Sequence, residues 1–155
     1  MIEKKNKVKK ILWIEDDYYY LKGLTKPLEK KGYEIIAAKS YGQAISELAK
    51  HKEDLSLILL DLIIPRSLTD ASKPKESENE FQNKIEEPQD LVENGMELLN
   101  YIRQELKLTI PITVLSIVRN EEIIRRLESR DVKRLQKFGL LPDRLKEAVL
   151  DELKD

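Results

Sequence analysis

This sequence predicts an α/β fold: one five-stranded parallel sheet, doubly wound, with helices on both faces. Three observations predict it. Short apolar runs recur along the chain, at Ile11-Leu12-Trp13-Ile14, Leu57-Ile58-Leu59-Leu60 and Ile112-Thr113-Val114-Leu115. Strands buried on both faces of a parallel sheet read as continuous runs of this kind. The segments between them carry apolar residues at helical spacing, and such alternation implies a parallel sheet with right-handed crossovers. Finally, polar residues follow the runs directly: Glu15 and Asp16, Asp61, Ser116, and Lys137 after a weaker fourth run. In an open parallel sheet these positions gather at the carboxyl edge, where ligands bind.

The elements follow in order. After the first strand, Tyr18 to Lys31 carries Leu21, Leu24 and Leu28 at helical spacing and stops at Gly32, a suitable C-terminal cap. Pro27 is expected to kink that helix or loosen a turn. Tyr33 to Ala38 is a short strand. Ser40 with Gln43 three residues on forms a capping box for a helix using Ala44, Ile45 and Leu48. The Asp61 strand comes next, then a helix from about Leu91 to Leu106, with Leu98, Leu99, Ile102 and Leu106 on one face. The Ser116 strand, a helix from Asn120 with Ile123, Ile124 and Leu127, and a weak strand at about Val132 to Gln136 follow. A last helix carries Leu145, Ala148, Val149 and Leu153.

One interruption stands out. Residues 66–93 are polar, contain Pro74 and Pro88, and hold eight acids against four bases. So long a connection without clear periodicity is uncommon in a compact domain. The expectation is a flexible acidic insertion within a single domain spanning residues 1–155.

Composition narrows the class. The 155 residues suffice for one domain with a sizeable core. With 28 basic and 29 acidic side chains, nothing argues for direct nucleic-acid binding. The absence of cysteine removes disulfides, thiolate metal sites and cysteine nucleophiles. No apolar stretch reaches the roughly 18 residues of a membrane span, and the basic residues before Ile11 lead into a strand rather than a signal-peptide core. A cytoplasmic location without membrane insertion is expected.

Singly, the edge residues are ordinary: acids after a strand are loop residues, Asp17 is a plausible helix cap, and Ser116 and Lys137 are a hydroxyl and a lysine among many. His51 reads as a solvated residue at a helix end, and Tyr18 to Tyr20 as one core contact with two surface rings. Jointly, three carboxylates, a hydroxyl and an ammonium make an acidic pocket with one cationic wall. Such a pocket suits a hard divalent cation and a phosphoryl group.

The motifs are Ile-Glu-Asp-Asp at 14–17, Leu-Asp-Leu-Ile-Ile-Pro at 60–65, Asn-Gly-Met-Glu-Leu-Leu at 94–99, Pro-Ile-Thr-Val-Leu-Ser at 111–116 and Lys-Phe at 137–138. In this order the chain resembles the receiver domain of two-component response regulators, over nearly its whole length apart from the insertion. The resemblance implies a flavodoxin-like (βα)5 fold with strand order 2-1-3-4-5 and Asp61 as phosphoacceptor. It implies Mg²⁺ held by Asp16 and Asp61 directly, by Glu15 through water, and by the backbone carbonyl of Ile63. Lys137 and the Ser116 hydroxyl would contact the phosphoryl oxygens, as positioning and electrostatic stabilisation. The implied partners are a histidine kinase or histidine phosphotransfer protein and an unidentified output protein. Only the domain's own phosphoryl transfer and dephosphorylation would be catalysed, so it is not expected to be an enzyme.

The pattern is broken in four places. Phe138 replaces the usual proline, so a cis peptide is not expected there. Arg134 stands where an aromatic switch residue is usual, and Ile117 where a small side chain is preferred. The insertion begins directly after Pro65, at the pocket's mouth, where it is expected to shield the site. Ile63 and Val118, which flank the line of water attack in the family, are both apolar, which implies a long-lived aspartyl phosphate. No DNA-binding segment follows the last helix, so output through partner binding is expected. The alternative reading is a pseudo-receiver, an interaction module that signals without phosphate. A magnesium-dependent phosphatase of similar topology is weaker, because it needs an acid at the position held by Ile63.

Overall fold

The computed structural model describes residues 8–67, 88–117 and 120–153. Its elements are β1 (Lys10–Ile14), α1 (Tyr18–Leu21), a 3₁₀ turn (Lys22–Thr25), α2 (Lys26–Lys30), β2 (Glu34–Ala38), α3 (Tyr41–His51), β3 (Leu55–Leu60), α4 (Pro88–Asn100) ending in a π-helical turn (Tyr101–Glu105), β4 (Ile112–Ser116), α5 (Glu121–Glu128), β5 (Lys133–Gln136) and α6 (Pro142–Leu153). The five strands form one parallel sheet in the order β2-β1-β3-β4-β5. Fold class and strand order are those expected from the sequence.

The apolar runs are continuous because each strand has two faces to fill. Odd-numbered Ile11, Trp13, Leu57 and Leu59 pack with Tyr18, Leu24 and Leu28, and with Leu145 and Val149 of α6. Even-numbered Leu12, Ile14, Ile58 and Leu60 pack on the other face with Ala44 and Leu48 of α3, Met96, Leu98 and Leu99 of α4, and Leu127 of α5. Ile11 through Ile14 and Leu57 through Leu60 are fully buried, each such side chain contributing roughly 1.5–3 kcal/mol on burial. In β5, by contrast, Lys133 and Arg134 are exposed. An edge strand has one neighbour fewer to cover it, which accounts for its weak apolar signal.

Two helices differ from the expectation. The segment expected as one helix from Tyr18 to Lys31 is a short α-helix, a 3₁₀ turn and a second short α-helix. Pro27 sits in the first turn of α2, where its missing N–H costs nothing; the proline starts a helix rather than kinking one. Gly32 closes this segment at φ +106°, as a terminating glycine should. The helix expected from Leu91 begins at Pro88 instead, so residues 88–93 are helical and not part of a flexible insertion. The rest of the expected insertion, residues 68–87, lies outside the described residues.

The Ser40 cap is as expected, its Oγ accepting the Gln43 N–H at 3.1 Å. Gln43 Oε1 reaches back one residue further than a simple capping box, to the Lys39 N–H at 2.8 Å. Asn120 caps α5 through the Glu122 and Ile123 N–H groups, at 2.8 and 3.1 Å. Asp17 occupies the N-cap position of α1 without a side-chain cap bond. His51 is not simply solvated: its Nε2 lies 3.5 Å from Glu47 Oε1, one helical turn back.

Candidate functional site

Three of the pocket residues are each placed by one extra rung of the sheet ladder. The Glu15 N–H donates to the Ala38 carbonyl at 2.8 Å, the Asp61 N–H to the Ile14 carbonyl at 3.0 Å, and the Lys137 N–H to the Ser116 carbonyl at 3.1 Å. These bonds continue the parallel register past the ends of β1, β3 and β5. They bring residues from across the chain to the carboxyl edge.

The side chains then meet. Lys137 Nζ lies 2.7 Å from Glu15 Oε1 and 2.8 Å from Asp61 Oδ2. Glu15 is fully buried, Asp61 is 3% exposed and Ser116 1%; Asp16 stands exposed at the rim. The second Glu15 oxygen accepts the Asp17 N–H at 3.1 Å, while among the described residues the first is held by the Lys137 charge alone. Asp61 Oδ1 accepts the Ile63 N–H at 3.0 Å. Glu15, Asp16 and Asp61 each offer a carboxylate oxygen within 4.8 Å of the others. Three carboxylate oxygens this close together could hold a divalent metal ion.

The electrostatics follow from crowding acids in a partly dry site. Burial, then the Asp61 charge, raises the Glu15 carboxyl above its ordinary value, against the opposing pull of Lys137. Burial also raises Asp61, opposed by Lys137 and the Ile63 N–H. Asp16 is pushed up to about 6 by loss of water around its carboxylate and by the charges of Asp17 and Glu15. For Lys137 burial acts downward, but Asp61 and Glu15 outweigh it and the ammonium is held above its ordinary value.

The loop after Asp61 is held from two sides, which the sequence motifs carried without revealing. The Asn94 amide donates to the Ile64 carbonyl at 2.9 Å. Gly95 abuts the Leu62 backbone so closely that an added Cβ would lie 2.5 Å from Leu62 Cα. On the other side, the Tyr41 and Gly42 N–H groups at the start of α3 bind the carbonyls of Pro65 and Arg66, at 2.9 and 3.1 Å. Arg66 itself pairs with Glu97 of α4 and lies over the Tyr41 ring, 4.2 Å from its centroid. The Asn-Gly pair at 94–95 was the available signal, since glycine within a helix often marks close backbone approach.

Three of the departures are exposed side chains. Arg134 is exposed, with no ion pair among the described residues. Phe138, Leu141 and Ile117 are exposed large apolar side chains. The Lys137–Phe138 peptide is trans, as expected without proline. Tyr18 packs edge-on against Trp13 while Tyr19 and Tyr20 are exposed, the expected one-in, two-out division. Val118 lies outside the described residues.

By sequence the chain matches no family model and no curated protein. By structure it is similar to a response regulator receiver domain protein (CheY-like) from Methanospirillum hungatei JF-1, at 19% identity and TM-score 0.68, covering 96% of this chain and 95% of that one. It is also similar to a two-component response regulator from Clostridium difficile, at 23% identity and TM-score 0.65, with coverage of 94% and 96%. A third is the phosphorylated cyanobacterial phytochrome response regulator RcpA, at 21% identity and TM-score 0.66, with coverage of 95% and 94%. The chain therefore has the receiver fold.

Proposed function

We propose that this receiver-folded chain is a phosphoacceptor in a two-component or phosphorelay system, phosphorylated on Asp61 in a Mg²⁺-dependent reaction. The observation that carries the reading is the Lys137 ammonium bridging Glu15 and Asp61 beside exposed Asp16. A nucleophilic carboxylate, an acidic cation site and a fixed positive charge thus share one pocket. The fold's resemblance to response regulators, one of them a phosphorylated form, supports it.

The donor is a phosphohistidine on a histidine kinase or phosphotransfer protein. An Asp61 oxygen attacks phosphorus, forming the acyl phosphate as the bond to the imidazole nitrogen breaks, and the imidazole leaves. The chief obstacle is charge, because an anionic nucleophile approaches an anionic phosphoryl group. A Mg²⁺ ion, when bound, supplies the neutralising charge; Asp16, Asp61, Glu15 and the Ile63 carbonyl are the groups that would hold it. Lys137 already lies against the nucleophile and would pair with phosphoryl oxygens, and the Ser116 hydroxyl would donate to another. The chain would act only on its own phosphate, and output would pass through binding of a partner protein.

A second reading, a phosphate-independent interaction module, is favoured by exposed Arg134 where an aromatic switch residue is usual. Incubation with Mg²⁺ and a small-molecule phosphodonor, followed by intact mass measurement, separates the two. Gain of one hydroxylamine-labile phosphoryl group, lost in Asp61→Asn, supports the phosphoacceptor. No gain supports the interaction module, and donor turnover without accumulation points to a phosphatase.

A further inference from the structure

The Asp61 loop is pinned residue by residue, and one of its pins is a buried polar side chain. Asp61 Oδ1 holds the Ile63 N–H, Asn94 holds the Ile64 carbonyl, and the first N–H groups of α3 hold Pro65 and Arg66. The Ile63 carbonyl belongs to the peptide unit between the first two contacts. Asn94 is 4% exposed and reaches the loop across 30 residues of sequence. A buried amide that donates to an irregular loop fixes the direction of a carbonyl at some cost in desolvation. Gly95 adds the close approach that keeps α4 within reach of the loop.

We propose that Asn94 is a positioning residue for the cation site. By holding the Ile64 carbonyl while Asp61 holds the Ile63 N–H, it helps fix the peptide units on either side of the one between Ile63 and Ile64, so that the Ile63 carbonyl faces the cluster of Glu15, Asp16 and Asp61. Asn94 touches neither the cation nor phosphate and acts through the loop alone. This inference rests on the Mg²⁺-dependent reading above. Groups outside the ligand shell that orient the ligands typically affect metal affinity by about 10- to 100-fold.

The test is Mg²⁺ titration of the full chain by calorimetry, with melting temperature and amide exchange at Ile63 measured on the same samples. Asn94→Ala is expected to weaken Mg²⁺ binding about tenfold and to speed exchange at Ile63. If Asn94→Ala does not fold, Asn94→Ser, which keeps a shorter donor, is expected to show the same effects in smaller measure. Glu93→Gln is the control: it removes the surface pair with Arg126 of α5 without touching the loop. Its Mg²⁺ affinity is expected to stay within about twofold of wild type, since exposed pairs contribute little. Folded Asn94 variants that melt earlier yet bind Mg²⁺ as tightly as wild type would overturn the proposal, leaving Asn94 a structural residue only. Wild-type protein that binds no Mg²⁺ would overturn the functional reading first, and this inference with it.

Discussion

Lys137 and Asp61 stand 76 residues apart in sequence and 2.8 Å apart in space, joined by a charge-assisted hydrogen bond at the mouth of the sheet. The same ammonium reaches Glu15 at 2.7 Å, so one cation separates two buried carboxylates. This contact holds the Asp61 carboxylate and stabilises a cluster of acids that would otherwise repel.

Removing Lys137 should therefore cost stability. Lys137→Ala leaves Glu15 and Asp61 buried without their counter-charge, and loss of a partner in such a pair costs on the order of 3 kcal/mol. Mg²⁺ supplies positive charge to the same carboxylates, so it should raise the melting temperature more in Lys137→Ala than in wild type. Equal shifts in the two proteins would place the ion away from this pair.

Mg²⁺ should stabilise the wild-type fold as well. A ligand bound only by the native state adds RT ln(1 + [L]/Kd), about 2.7 kcal/mol at a hundredfold excess over Kd. Thermal melts should show this gain for wild type and lose most of it in Asp16→Asn. A similar gain in that variant would move the ion elsewhere.

The pH dependence follows from the raised acids. Asp16 titrates near 6 in the native state, against 3.8 without perturbation. An acid whose folded pKa lies above its unfolded value binds its proton more tightly when native. Its contribution is most favourable below pH 3.8 and falls as pH rises through about 6; Glu15 and Asp61 shift in the same direction. Metal-free wild type should thus lose stability relative to Asp16→Asn across that window. Mg²⁺ affinity should weaken as pH drops below about 6, where the proton competes for Asp16. Melts of both proteins across the pH range, with calorimetry of Mg²⁺ binding at each pH, check both statements.

Gly95→Ala should destabilise without altering any charge. Its Cβ would lie 2.5 Å from Leu62 Cα, against backbone that cannot rotate away. Overpacking of this kind costs about 1–3 kcal/mol, measurable as a lower denaturant midpoint.

The aspartyl phosphate should be long-lived. Ile63, two residues past Asp61, cannot orient an attacking water molecule. Ile63→Asn or Ile63→Glu should speed hydrolysis, followed as loss of the phosphorylated mass over time. Decay of the wild-type species within seconds, unchanged by either substitution, would refute shielding by this side chain.

Much of this was legible in the sequence because parallel strands buried on both faces must be apolar throughout. Runs such as Ile11–Ile14 and Leu57–Leu60 marked the strands, and the polar residue after each marked the carboxyl edge. Glu15, Asp16, Asp61, Ser116 and Lys137 were named from that rule together with a family resemblance, and backbone pairing at 15, 61 and 137 shows why the rule works. Local helix detail was less legible. Leucine spacing looks the same in a continuous helix and in one broken by a 3₁₀ turn, so the sequence reads Tyr18 to Lys31 as one helix, kinked or loosened at Pro27, rather than as two short helices. Only tertiary structure decided which groups spend their hydrogen bonds on the Asp61 loop. Asn94 and Gly95 lie beyond a long connection; a glycine inside a helix hints at a close approach, but the local pattern does not say that the partners are the Ile64 carbonyl and Leu62. The strand ends are fixed by a periodic hydrophobic signal written along the chain, whereas a contact across 30 residues exists only once packing on the sheet has set where α4 lies.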